Sequence, residues 1–148
     1  MWALHDVSLF TRFTLISSTY ILVYVDDILV TGTSEAKIAS LVSQLNNTFS
    51  LKNLGEMHYC LGIEVRRSPS NTIILYQTKY IKDLLQKAYM SAAKPMPTPM
   101  ISNLKLSTTG DTIFNNLTLY RSIVGGLQYT TVTRPEITYA VNKVAQFL

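Results

Sequence analysis

Asp26 and Asp27 interrupt an apolar stretch, with Ile21, Leu22 and Val23 before them and Ile28, Leu29 and Val30 after. Runs this rich in β-branched and aromatic residues favour strands, so 19–25 and 28–31 read as a hairpin folded around the acidic pair. The hairpin constrains the rest of the fold, because its strands must bury their apolar side chains while the carboxylates resist burial. Two like charges about 4 Å apart repel by roughly 4 kcal/mol at an effective dielectric near 20, and close to a core a cation is the usual remedy. With oxygen donors and neither His nor Cys nearby in sequence, the cation expected is Mg2+ or Mn2+ rather than Zn2+. The simpler reading is an acidic turn that ends two strands.

With 148 residues, 47% of them hydrophobic, the chain can bury a core and make one or two small domains. A net charge of +4 suits a nucleic-acid partner, although the 13 basic residues are scattered. The single Cys60 excludes an internal disulfide and offers no zinc-ligand spacing, so an intracellular, reducing compartment is expected rather than secretion. Cys60 itself reads as a small core residue. The uncharged stretch 13–25 is too short and too β-branched for a spanning helix, and residues 1–6 lack the basic start of a signal peptide. No membrane association is expected.

A strand over 9–16 precedes the acidic hairpin. Ser34 is placed to cap a helix in which Ile38, Leu41, Val42, Leu45 and Phe49 recur at helical spacing, and that helix should cover one face of the sheet. Residues 58–67 and 72–77, separated by Ser68, Pro69, Ser70 and Asn71, read as a second hairpin. Tyr80, Ile81, Leu84, Leu85 and Ala88 trace a further helix, with Lys79, Lys82 and Lys87 solvated around it. Pro95, Pro97 and Pro99 end regular structure, and 91–116 reads as a long exposed connection. One helix is expected near 119–131. Another begins around Pro135 and carries Ile137, Ala140, Val141, Val144 and Phe147 on one side. The chain stops within that helix without a cap, as expected of a piece of a longer reading frame. The fold class is α+β.

The tetrapeptide Tyr24, Val25, Asp26, Asp27 resembles the Tyr-x-Asp-Asp box of reverse transcriptases. Four further segments, at 6–10, 54–65 (LGEMHYCLGIEV), 94–100 (KPMPTPM) and 120–141 (YRSIVGGLQYTTVTRPEITYAV), resemble copia-type retrotransposon Pol polyproteins in the same order. The resemblance implies a partial polymerase palm over 1–78, with antiparallel hairpins and a covering helix, followed by a helical thumb over 79–148. It implies an RNA-directed DNA polymerase whose partners are an RNA/DNA template-primer duplex, dNTPs and the remaining polyprotein segments. Two Mg2+ or Mn2+ ions would serve nucleotidyl transfer in the parent enzyme. Asp26 and Asp27 would be catalytic and metal-binding, Asp26 as the principal bridge and Asp27, on the opposite side of its strand, in a secondary role. Val25 would lie beside the primer terminus and Tyr24 against the template-primer backbone.

By the same resemblance, Leu61 and Gly62 fall at the primer grip, whose backbone holds the primer end; a bulge explains this Gly equally well. Relatives usually carry an aromatic residue where this chain has Cys60. Lys52 stands roughly where polymerases place a lysine near the departing pyrophosphate, although an exposed charge beside a helix end accounts for it too. Arg121, Gly125 and Tyr129, four residues apart, would line a thumb helix laid in the minor groove of the duplex. Close helix packing is the other explanation for Gly125 and Gly126. A third palm aspartate and the fingers are not in the sequence, and Asp6 matches a later family segment. The expectation is a fragment without polymerase activity on its own. Two alternatives stand beside it: a non-catalytic basic module that binds RNA/DNA duplex, and an unselected transposon relic.

Overall fold

The computed structural model describes residues 8–70, 72–101, 106 and 115–148, and residues 2–6 by backbone alone. Four consecutive strands form an antiparallel sheet in chain order: β1 (Trp2–Asp6), β2 (Leu9–Thr14), β3 (Ser17–Tyr24) and β4 (Asp27–Gly32). Thr14 pairs with Ser17 and Tyr24 with Asp27, so two-residue turns join β2 to β3 and β3 to β4. Short turns suit antiparallel neighbours, which explains the meander. Directly paired residues share a sheet face. One face therefore carries Phe10, Arg12, Thr19, Ile21, Val23, Ile28 and Val30, and the other carries Leu9, Thr11, Phe13, Tyr20, Leu22, Tyr24, Leu29 and Asp27.

Helix α1 (Glu35–Phe49) follows. Its expected stripe is present, with Ile38, Leu41, Val42 and Leu45 half-buried, but no residue of α1 is fully buried and Phe49 is exposed. The covering role is thus partial. Ser34 occupies the N-cap position without a side-chain cap bond; its carbonyl accepts from the Ile38 amide. Arg12, Thr14, Ser17 and Thr19 line a groove together with Lys37, Ser40, Leu41 and Gln44, which places α1 over the first of the two sheet faces. The Lys37 ammonium donates to Ser17 Oγ at 2.6 Å there. On the opposite face Phe13 and Tyr20 meet edge to face, with centroids 5.8 Å apart.

The chain divides into two compact units, Met1–Cys60 and Leu61–Leu148. The first ends in the two-residue strand β5 (Tyr59–Cys60). The second opens on a turn at Leu61 and Gly62, so the run expected as one strand over 58–67 is broken there. Both residues have positive φ, 50° and 79°, a conformation no strand can continue through. Strands β6 (Ile63–Arg67) and β7 (Ile73–Tyr76) then pair antiparallel, as the turn-forming residues between them predict. Asn71 lies outside the described residues.

Helix α2 (Thr78–Lys87) follows directly, and the Lys79 amide donates to Glu64 Oε1. The expected connection over 91–116 lies partly outside the described residues, and its described part contains neither helix nor strand. Helix α3 (Leu117–Thr130) is capped by the Asn116 side chain, which accepts from the Leu119 amide. Pro135 opens a 3-10 turn (Pro135–Ile137) that leads into α4 (Thr138–Ala145). The core of this unit is Val65, Val124 and Val141, with Gln77 at 1% exposure accepting from the Thr133 hydroxyl. Among the described residues, no helix is long and apolar enough to cross a membrane.

Candidate functional site

The acidic pair sits at the tip of the β3–β4 hairpin, and it is exposed, not held against a core. Val25 and Asp26 are the two turn residues, while Asp27 opens β4 opposite Tyr24. Water therefore screens the repulsion that a buried pair would suffer. The turn also alters the relation between the carboxylates, because Asp26 belongs to no strand and their directions are set by turn geometry. Only the first turn residue, Val25, has positive φ, at 50°, which is the pattern of a type II′ turn. Such a turn follows the twist of paired strands, but its first position favours Gly. A β-branched residue there is strained, and Val25 is 82% exposed, so burial does not repay the strain.

Tyr24 and Asp27 fall on the sheet face opposite α1. Tyr24 is half-exposed. Cys60 is half-buried, not a core residue, and its thiol pKa is raised, first by burial and then by the Asp27 carboxylate. Asp27 is thus within electrostatic reach of the residue preceding the expected primer grip. Among the described residues, no group of three or more His, Cys, Asp or Glu side chains is placed to hold a metal ion. Asp26 and Asp27 offer the hard oxygen donors that Mg2+ and Mn2+ prefer, yet two carboxylates alone fall short of the set that fixes such an ion for catalysis. Lys52 is exposed beyond the left-handed Ser50 that ends α1.

In the second unit, the structure brings together three residues that the sequence reading assigned to two separate features. Leu61 and Gly62 form the left-handed turn, and the Tyr129 hydroxyl of α3 donates to the Leu61 carbonyl. Tyr129 also meets Tyr80 of α2 edge to face, with centroids 5.2 Å apart. Four residues are about 400° of helix, so each step drifts by roughly 40° and Tyr129 lies about 80° round α3 from Arg121. Arg121 and Gly125 are accordingly exposed, whereas Tyr129 is half-buried against the turn. Tyr80 is the participant the sequence reading missed, since its helical spacing marked it as an ordinary core position. Burial raises its phenol pKa, keeping it neutral and able to donate.

Gly125 and Gly126 separate cleanly. A Cβ on Gly125 would meet nothing within 4 Å, but one on Gly126 would stand 2.6 Å from Leu84 Cδ1. Close packing therefore accounts for Gly126 and leaves Gly125 without a packing reason.

The family described as reverse transcriptase (RNA-dependent DNA polymerase) matches residues 5–102. The retrovirus-related Pol polyprotein from transposon RE1 of Arabidopsis thaliana is 46% identical over 143 residues, which are 97% of this chain and 10% of that protein. An uncharacterized mitochondrial protein of the same plant is 49% identical over 128 residues, covering 86% of this chain and 52% of the relative. The Pol polyprotein from transposon TNT 1-94 of Nicotiana tabacum is 40% identical over 147 residues, 94% of this chain and 11% of the relative. The chain thus spans about a tenth of the length of the Pol polyproteins it matches. No solved structure matches it.

Proposed function

The chain belongs to the reverse transcriptase family, as a segment of copia-type Pol polyproteins, and from that membership we propose that it is the part of the polymerase carrying the catalytic hairpin, the primer grip and the thumb. Residues 1–78 are read as palm and 79–148 as thumb. One observation carries this reading: Asp26 and Asp27 project from an exposed hairpin tip, and Tyr24 and Asp27, both exposed, share the sheet face opposite α1. A hairpin whose carboxylates must meet a large anionic duplex needs an open face, and an acidic turn that merely ended two strands would not.

In this reading Asp26 and Asp27 contribute two of the carboxylates for divalent-metal nucleotidyl transfer in the parent enzyme, with Val25 and Tyr24 beside the primer. Leu61 and Gly62 hold the primer end, Lys52 is the candidate near the departing pyrophosphate, and Arg121 with Gly125 faces the duplex backbone. Tyr129 reaches the duplex side only through its half-exposed ring. Template-primer, dNTPs and further polyprotein segments are the proposed partners. Because two carboxylates cannot align a triphosphate unaided, the 148-residue chain alone is expected to bind duplex without extending a primer.

Fluorescence anisotropy with a labelled RNA/DNA hybrid tests the binding. Affinity should fall steeply between 50 and 200 mM salt, and Arg121→Ala should reduce the slope of log K against log salt by about 1. Binding to the hybrid that is absent or indifferent to salt would overturn the proposal.

A further inference from the structure

We infer that Tyr129, backed by Tyr80, is a positioning residue that fixes the Leu61–Gly62 turn in the shape presented to a primer end; the inference rests on reading that turn as the primer grip. Two successive residues there have positive φ, at 50° and 79°. Gly adopts that region freely, but Leu does not, and a strained residue persists only where its surroundings hold it. The Tyr129 hydroxyl supplies that hold by donating to the carbonyl of Leu61 itself.

The rings complete the support. A Cβ on Gly62 would stand 3.3 Å from Tyr80 Cδ2 and 3.6 Å from Tyr129 Cε1, so the two rings form a floor that the turn rests on. Edge-to-face geometry, with planes at 76°, fixes one ring against the other. The Tyr80 hydroxyl in turn reaches the Gly126 carbonyl at 3.4 Å, where the missing Cβ lets α2 and α3 approach. The turn, Tyr80 on α2 and Tyr129 on α3 are therefore linked by direct contacts within one compact unit.

A function follows that packing alone does not require. The helix bearing Arg121 and Gly125 is the helix that holds the turn, so duplex seated against α3 and a primer end at Leu61 and Gly62 engage one connected element. Any displacement of α3 is passed to the turn through the Tyr129 hydroxyl.

The test uses the full chain and two labelled RNA/DNA hybrids of equal length, one with a recessed DNA 3′ end and one whose ends are closed by hairpin loops so that no 3′ end is presented. The unaltered chain should prefer the recessed hybrid. Tyr129→Phe keeps the ring and removes only the hydroxyl; it should cut that preference about three- to tenfold, the span expected of one hydrogen bond. Amide hydrogen exchange across 59–64 should accelerate in the same variant while helical content is unchanged. Loss of a group needed only for packing would weaken binding of both hybrids alike and leave the preference unchanged. Full preference retained by Tyr129→Phe, whether or not both affinities fall, overturns the positioning role alone. No preference in the unaltered chain removes the primer-grip reading, and the positioning role with it.

Discussion

Val25 holds the acidic tip in a backbone region that β-branched residues avoid. The left-handed region costs an L-residue about 1–2 kcal/mol, against roughly 0.5–1 kcal/mol for the extra freedom of glycine in the unfolded chain. Val25→Gly should therefore stabilise the chain by about 0.5–1 kcal/mol in urea denaturation. It should also loosen the spacing between Asp26 and Asp27. Cys60 gives a second prediction at this scale. Its thiolate is disfavoured in the folded chain by burial and by the Asp27 carboxylate, so iodoacetamide at pH 8 should modify it more slowly than an unstructured cysteine, and Asp27→Asn should speed the reaction. The sign for stability follows: the unfolded thiol ionises first, so Cys60 detracts from stability as pH rises through its unfolded pKa towards the raised folded one. The carboxylates were legible in sequence but their exposure was not. Runs of β-branched and aromatic residues marked the two strands, yet neither Val25 nor Asp26 is the glycine that identifies a type II′ turn, so the turn was expected one residue further on, at Asp26 and Asp27.

At the scale of elements, α3 offers the sharpest contrast, between adjacent glycines. Gly125→Ala should stabilise the chain by about 1 kcal/mol through helix propensity alone, since nothing opposes its Cβ. Gly126→Ala gains the same propensity but drives a methyl into Leu84, and overpacking of about 1–3 kcal/mol should leave it neutral to destabilised. Thermal melts of the two variants check both. If Gly125→Ala is more stable yet binds the RNA/DNA hybrid less well, close approach of the duplex is the reason for that glycine. The periodicity of α1, α2, α3 and α4 was readable because each stripe is local, and Pro135 marked its turn by removing a backbone donor. The bond from Tyr129 to Leu61 was not readable. It joins positions 68 apart, and each residue had an adequate local explanation without the other. Residues 58–67 failed as one strand for a related reason, because Leu61 gives no sign of a left-handed turn and Gly62 alone suggested a bulge.

At the scale of the molecule, the family was legible because five short segments keep their order along the chain, and order is harder to match by accident than any single box. Purified protein on a primed RNA template should give no Mg2+-dependent extension, and Asp26→Asn should change nothing in that assay. Extension lost on Asp26→Asn would show that the carboxylates present suffice. The exposed hairpin tip accompanies an unusual interior. Among the described residues, the first unit fully buries Thr11 and Thr19 and no aliphatic side chain, whereas the second buries three valines. The aliphatic side chains of β3, β4 and the α1 stripe are half-buried, so opening the unit uncovers less apolar surface per residue than opening a fully buried core would, and its heat-capacity increment and denaturant slope should be modest. Its stability should then change more gently with temperature than that of a domain with a fully buried aliphatic core, and in a calorimeter its transition should be the lower and broader of the two.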